Sequence, residues 1–237
     1  MLKEYKGAKD EDNDKLRAEI KALRERLIGQ QQLVREKKLP IIVLIEGWAA
    51  AGKGSLINEM ISEIDPRFYN VVSPVVLPEK EERYPFLYQY AKAIPENGKI
   101  MFYDSGWMEG AVRKYLRRDI TRDEYKKRIR SVNEFERQLR DGGYLVLKFF
   151  LHIDKDEQHK RLYALKENFE TEWRVADDDM WQHREYKTFR DSYDEFMDQT
   201  GKIVPWHVLD GQKKRTATRD ALKLLVESID EVWKQGK

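Results

Sequence analysis

The chain has 237 residues, 41% of them hydrophobic, enough to bury one substantial core in a single α/β domain. It contains no cysteine, which excludes disulfides, thiolate metal sites and thiol nucleophiles, and its histidines (His152, His159, His183 and His207) lack the spacings of a zinc site. Charged residues make up 37% yet nearly cancel at a formal +2, so bulk attraction to nucleic acid is not expected.

The first residues, Met1-Leu2-Lys3-Glu4-Tyr5-Lys6, lack the apolar stretch of a secretory signal. The apolar run from Leu39 to Ile45 falls far below the ~20 residues that cross a bilayer. The expectation is a cytoplasmic protein with neither a membrane nor a nucleic-acid partner. Residues 1–38 read as an amphipathic helical arm. From Lys15 to Lys38 a helix is predicted, with Leu16, Ile20, Leu23, Leu27 and Val34 on one stripe and charged or glutamine residues opposite. Such an arm must cover either its own domain or a second subunit. Pro40 ends it and starts an apolar strand, Ile41 to Ile45.

After Ser55 a second helix begins, and Asp65-Pro66-Arg67 turns into a strand predicted over Tyr69 to Val76, closed by Leu77-Pro78. A helix is predicted from Glu81 to Ala93, with Pro85 tolerable only in its first turn. Lys99 to Tyr103 forms a third strand that delivers Asp104 at its C-terminal end. A basic helical zone covers Ala111 to Leu116 and Arg122 to Arg140. Tyr144 to Leu151 reads as a buried strand, Lys155 to about Lys166 as a helix, Ile203 to Leu209 as the last strand and Arg215 to Trp233 as the last helix. Nearly uninterrupted apolar strands alternating with helices predict a mainly parallel five-stranded sheet flanked by helices. Ligands of such sheets lie beyond the strand C-termini, where Gly47 to Gly54 and Asp104 both fall.

The segment Gly47-Trp48-Ala49-Ala50-Ala51-Gly52-Lys53-Gly54-Ser55 sits between a strand and a helix, the context of a Walker A phosphate-binding loop. Gly47, Gly52 and Lys53 match that pattern, while Gly54 takes the hydroxyl position and Ser55 comes one residue late. Candidate phosphate- or nucleotide-binding residues are Gly47, Ala51, Gly52, Lys53, Gly54 and Ser55. Lys53 would set its ammonium against transferring phosphoryl oxygens. Asp104 has the position of a Walker B acid able to hold Mg²⁺ (or Mn²⁺), the plainer alternative being a cap on the following turn. Arg83, Arg113, Lys114, Arg117, Arg118, Arg122 and Arg174 are candidates to line the same edge, whereas Lys126-Lys127-Arg128 and Arg130 read as a solvated helix face.

Glu46 to Gly54, Ile94-Pro95-Glu96-Asn97-Gly98-Lys99-Ile100, Tyr103-Asp104 and Val204-Pro205-Trp206 together resemble polyphosphate kinase 2 from about Leu39 to Trp233. The resemblance implies a P-loop NTPase-like fold over 39–237 with a helical lid at about 166–182. It implies transfer of phosphoryl groups between inorganic polyphosphate and AMP or ADP with Mg²⁺, in an oligomer. It matches Lys53 to the family's phosphate-binding lysine and Asp104 to its metal-holding acid; with the basic groups of the same edge added, the expected catalytic residues are Lys53, Asp104 and Arg113, the metal ligand is Asp104, and Arg117 and Arg174 are expected on the phosphate chain. Several positions depart from the family's pattern. Ala49 replaces an aspartate, Ser105 an arginine, Gln89 an arginine and Glu109-Gly110 an Asn-Arg pair, and Thr171-Glu172 replaces lid bases before Trp173-Arg174. In these features the chain is similar to the degenerate copy found in fused two-domain members. Asp177-Asp178-Asp179 reads either as a compensating metal site or as a capping cluster before a helix near Trp181. Two readings stand: a polyphosphate:nucleotide phosphotransferase with a weakened site, or an inactive binding or regulatory subunit pairing with an active homologue.

Overall fold

Five apolar runs become the strands of one parallel sheet. The computed structural model describes residues 1–73 and 83–235. Its strands are β1 (Ile41–Gly47), β2 (Tyr69–Val72), β3 (Ile100–Asp104), β4 (Leu145–His152) and β5 (Trp206–Asp210), in the order β2-β3-β1-β4-β5. Every residue of β1 is buried, as a central parallel strand requires. Ile45 pairs with both Asp104 and Phe149, and Gly47 with Leu151. That register brings the glycine loop and the acid of β3 to one end of the sheet.

The helices are α1 (Asn13–Glu36), α2 (Lys53–Ile61), α3 (Tyr88–Lys92), α4 (Trp107–Leu116), α5 (Arg122–Asp141), α6 (Lys155–Lys166), α7 (Asp177–Arg184), α8 (Tyr186–Thr200) and α9 (Lys214–Gln235). Asp12 starts α1 by accepting from the amides of Asp14 and Lys15 at 3.0 and 2.8 Å. The predicted stripe of α1 is buried, and the helix packs on α9, whose Leu222, Leu225, Val226 and Ile229 are fully covered. Each such side chain contributes roughly 1.5–3 kcal/mol. Gln30 adds bonds to the Val226 carbonyl (3.0 Å) and Asp230 (2.6 Å). The arm therefore covers its own chain.

A charged pair lies inside the core. Lys148, in the middle of β4, gives its ammonium to both oxygens of Glu136 (2.9 and 2.8 Å) and to the Thr200 carbonyl (2.8 Å). Glu136 also accepts from the indole of Trp107 at 3.1 Å, and the Lys148 ammonium sits 4.6 Å from the ring centre of Trp206. Burial pushes Lys148 down to about 8 and Glu136 up to about 6, with each partner opposing the other's shift.

Three elements differ from the sequence-based expectation. The strand expected to reach Val76 is β2, ending at Val72; residues 74–82, including Leu77-Pro78 and the predicted helix start at Glu81, lie outside the described residues. Over the described part of the helix expected from Glu81 to Ala93, residues 83–93, only α3 forms. Pro85 stands before it, its carbonyl accepting from Tyr88 at 2.8 Å, and the residue ahead of a proline is steered away from helical backbone. The helix expected near Trp181 begins at Asp177, so the aspartates form its first turn.

Candidate active site

The loop from Trp48 to Gly52 turns sharply out of β1. Gly47 has φ +151°, and a Cβ there would stand 2.5 Å from the Leu151 carbonyl oxygen, so only glycine fits beside β4. Gly52, at φ +101°, precedes the first turn of α2, and Ala50 also takes a left-handed backbone at φ 59°. Among the described residues, the amides of Ala50, Gly52, Lys53, Gly54 and Ser55 meet no acceptor. They are the donors of a nest at a helix N-terminus. The Lys53 ammonium folds back over the loop, 3.5 Å from the Gly47 carbonyl oxygen and 3.3 Å from that of Trp48.

The remaining polar groups of the loop are held from α6 and α7. Ala49 donates to Gln182 at 2.8 Å, its carbonyl accepts from Gln158 at 3.4 Å, and the two glutamines bond each other at 2.9 Å. Arg161 spans the Ala50 (3.3 Å), Ala51 (3.0 Å) and Gly211 (2.9 Å) carbonyls, with Glu157 as the counter-charge 2.7 Å from its Nε. Trp48 donates to His152 at 3.0 Å and stacks on Tyr186 at 4.0 Å. The loop is thus fixed by side chains while the amides of Ala50 and of Gly52 to Ser55 stay open.

Asp104 ends β3 next to α2; a Cβ on Gly54 would lie 3.9 Å from its Oδ2. Burial raises the Asp104 carboxyl above its usual range against the pull of Lys53, and Glu109 adds to the rise. It is not the cap of α4. That role falls to Glu46, 1% exposed at the end of β1, whose Oε1 accepts from the amides of Gly106 (3.0 Å), Met108 (3.0 Å) and Glu109 (3.4 Å). Burial and then the Glu109 carboxylate push Glu46 up to about 8, opposed by the amides and Lys53. Burial also works against Glu109, yet Arg113, Lys53 and the Ser105 hydroxyl outweigh it and hold that carboxyl below its usual range.

The two arginines of α4 point at carboxylates. Arg113 contacts Glu109 at 2.6 Å, Asp178 at 3.3 Å and Asp179 at 3.7 Å. Arg117 pairs with Asp178 and lies 5.6 Å from the ring centre of Trp181. Asp179 also accepts from the Ala176 amide at 2.9 Å, so one aspartate caps α7 and two reach across to α4. Arg122, expected on this edge, instead binds Glu195 of α8.

A cleft of about 1780 Å³ opens beside the loop, bounded by α1, α2 and the start of α9. Ala51, Gly52, Gly54, Ser55 and Arg174 line it together with Lys213 to Arg215. Gly47, Lys53, Asp104, Arg113 and Arg117 are not among its walls. Among the described residues no group of three or more His, Cys, Asp or Glu side chains is arranged as a metal site, and no helix is long and apolar enough to cross a membrane.

Residues 10–237 match the family model for polyphosphate kinase 2. The chain belongs to the polyphosphate kinase 2 family. It is 28% identical over 221 residues to the polyphosphate:AMP phosphotransferase of Pseudomonas syringae, covering 92% of this chain and 44% of that protein. It is 27% identical over 202 residues to the AMP/ADP-polyphosphate phosphotransferase of Meiothermus ruber, covering 85% of this chain and 76% of the relative. The polyphosphate kinase 2 structure from Arthrobacter aurescens superposes with a TM-score of 0.89 at 23% identity, over 97% of this chain and 83% of that one, a likeness of fold. The chain spans about half the length of the polyphosphate:AMP phosphotransferases of Pseudomonas syringae and Pseudomonas aeruginosa that it matches.

Within this polyphosphate kinase 2 fold, the position of the family's expected aspartate, Ala49, is 6% exposed and tied through its peptide to Gln182 and Gln158. Ser105 takes φ 67° directly after Asp104. Glu46, Gln158, Arg161 and Gln182 were not singled out from the sequence. For Glu46 a signal existed, a carboxylate closing an all-apolar strand. The other three lie on helices whose apposition to the loop no local pattern encodes.

Proposed function

We propose that this protein transfers phosphoryl groups between inorganic polyphosphate and a nucleoside mono- or diphosphate, AMP or ADP. The observation that supports this most is the set of open amides at Ala50 and from Gly52 to Ser55, next to the Lys53 ammonium and the Asp104 carboxylate. Amides and ammonium would hold the transferred group, and developing charge on its oxygens would meet fixed donors that need no reorganisation. Arg161 and the two glutamines keep the amides aimed. Arg174, beside Gly52 and Gly54 on the cleft, would close on the chain.

Asp104 fits a magnesium ion, or manganese, because such ions take one or two carboxylates and complete their shell with phosphate oxygens and water. The glycine at position 54 leaves open space beside its Oδ2. Bound there, the ion would neutralise phosphoryl oxygens. Lys53, not the metal, is the group this chain itself supplies to the transferred phosphate.

A second reading is favoured by Ala49, which offers no carboxylate and is pinned under α7. In it the protein binds phosphates without transferring them, as a subunit pairing with an active homologue or as a homo-oligomer. One assay separates the readings. Purified protein is given polyphosphate with AMP or ADP and Mg²⁺ or Mn²⁺, beside Lys53→Ala. Transfer that falls at least 100-fold in the variant supports the first; binding without transfer under every condition supports the second.

A further inference from the structure

The cations of α4 already have an anion. Arg113 and Arg117 together face Glu109, Asp178 and Asp179, two guanidinium charges against three carboxylates. Two of those carboxylates come from the first turn of α7, a helix fastened again one turn later. There Gln182 accepts from the Ala49 amide at 2.8 Å and donates to Tyr193 at 2.8 Å, and Trp181 lies against the Arg117 guanidinium. Asp178 is shared between the two arginines, one oxygen to each. That is how two cations one helical turn apart would share a phosphoryl group.

We propose that Asp178 and Asp179 stand in for phosphate on Arg113 and Arg117, and that they set which anions enter this side of the site. A single phosphate offers no advantage over carboxylates already tethered in place, because the intramolecular pair has a high effective concentration. A chain of linked phosphates anchored on the loop amides gains the same tethering and can displace them, lifting the start of α7. The acidic turn is then a specificity determinant favouring chains over isolated phosphates. The inference rests on the reading of the loop as a phosphate site, and it concerns the acidic first turn of α7, to which that reading gives no role.

The test uses the full chain and the variant Asp178→Asn/Asp179→Asn, which keeps side-chain size. Hydrogen exchange of amides 176–184 without ligand reads the latch alone and is expected to quicken at least tenfold in the variant. Titration with inorganic polyphosphate and with orthophosphate reads the selectivity. The variant is expected to bind both more tightly, orthophosphate by at least tenfold and by the larger factor. Unchanged exchange overturns the latch. Quickened exchange with orthophosphate affinity unchanged or lower overturns the stand-in role. Should polyphosphate bind the wild type and lose affinity in Lys53→Ala, the loop reading survives either failure. Absence of polyphosphate binding in every protein sinks both.

Discussion

The loop after β1 and the face between α4 and α7 both gather hydrogen-bond donors, backbone amides in one and guanidinium groups in the other, and they are left in opposite states. Around the loop, side chains from α6 and α7 take the Ala49 peptide and the Ala50 and Ala51 carbonyls, leaving the amides of Gly52 to Ser55 open. On the α4 face the cations themselves are taken, by Glu109, Asp178 and Asp179. Among the described residues the rigid backbone donors meet no rival ligand, whereas the long arginine side chains find one. The difference shows that a basic residue near a phosphate loop is a candidate ligand only once its carboxylate neighbours are known.

The comparison breaks most sharply at Lys53. Lys53→Ala is expected to lower phosphoryl transfer about 100–1000-fold, roughly 3–4 kcal/mol of transition-state stabilisation; a loss under tenfold, measured as kcat/KM, would move the catalytic centre away from the loop.

Glu46 gives the next largest effect, through pH. Its carboxyl lies at about 8 in the folded protein against 4.5 ordinarily, so between those values the folded state holds a proton that the unfolded state has released. Stability from this group is complete below about 4.5 and is lost as pH rises to about 8. Glu46→Gln, which still accepts from the α4 amides, should remove a slope on the order of a few kcal/mol between these limits. Urea unfolding at pH 5 and pH 8 checks it, and parallel profiles for both proteins would count against a protonated Glu46.

Arg161→Ala should weaken the loop by about 1–3 kcal/mol, since it leaves the Ala50, Ala51 and Gly211 carbonyls without their fork. Polyphosphate affinity should fall with it; an intact melting temperature and intact binding together would show that the loop holds itself. Trp48→Phe, which keeps the stack on Tyr186 but drops the His152 bond, should cost about 1 kcal/mol in thermal unfolding. A cost above about 3 kcal/mol would mean that the indole fills space no phenyl ring can.

The parallel sheet was legible because each strand is a nearly unbroken apolar run and the loop carries glycine where β4 approaches most closely. The loop and Asp104 were legible for the same reason, since position at a strand end is a local property. Pro85 shows the limit of a local reading, because the helix expected from Glu81 to Ala93 forms among the described residues only as Tyr88–Lys92, beyond the proline. The partners of Arg113, Arg117 and Arg122 were not legible. Apart from Glu109, four residues before Arg113, their carboxylates come from α7 and α8, 61–73 residues further along the chain, and helix packing decides which of those charges meet.

The buried Lys148–Glu136 pair ties four elements through one pair of opposite charges: β4, α5, the Thr200 end of α8, and α4 by way of Trp107. Neutralising either member alone would strand the other in oil-like surroundings, a penalty of about 3–5 kcal/mol. Trp107 lies three residues past Asp104, so the same pair also fastens the segment that follows the acid.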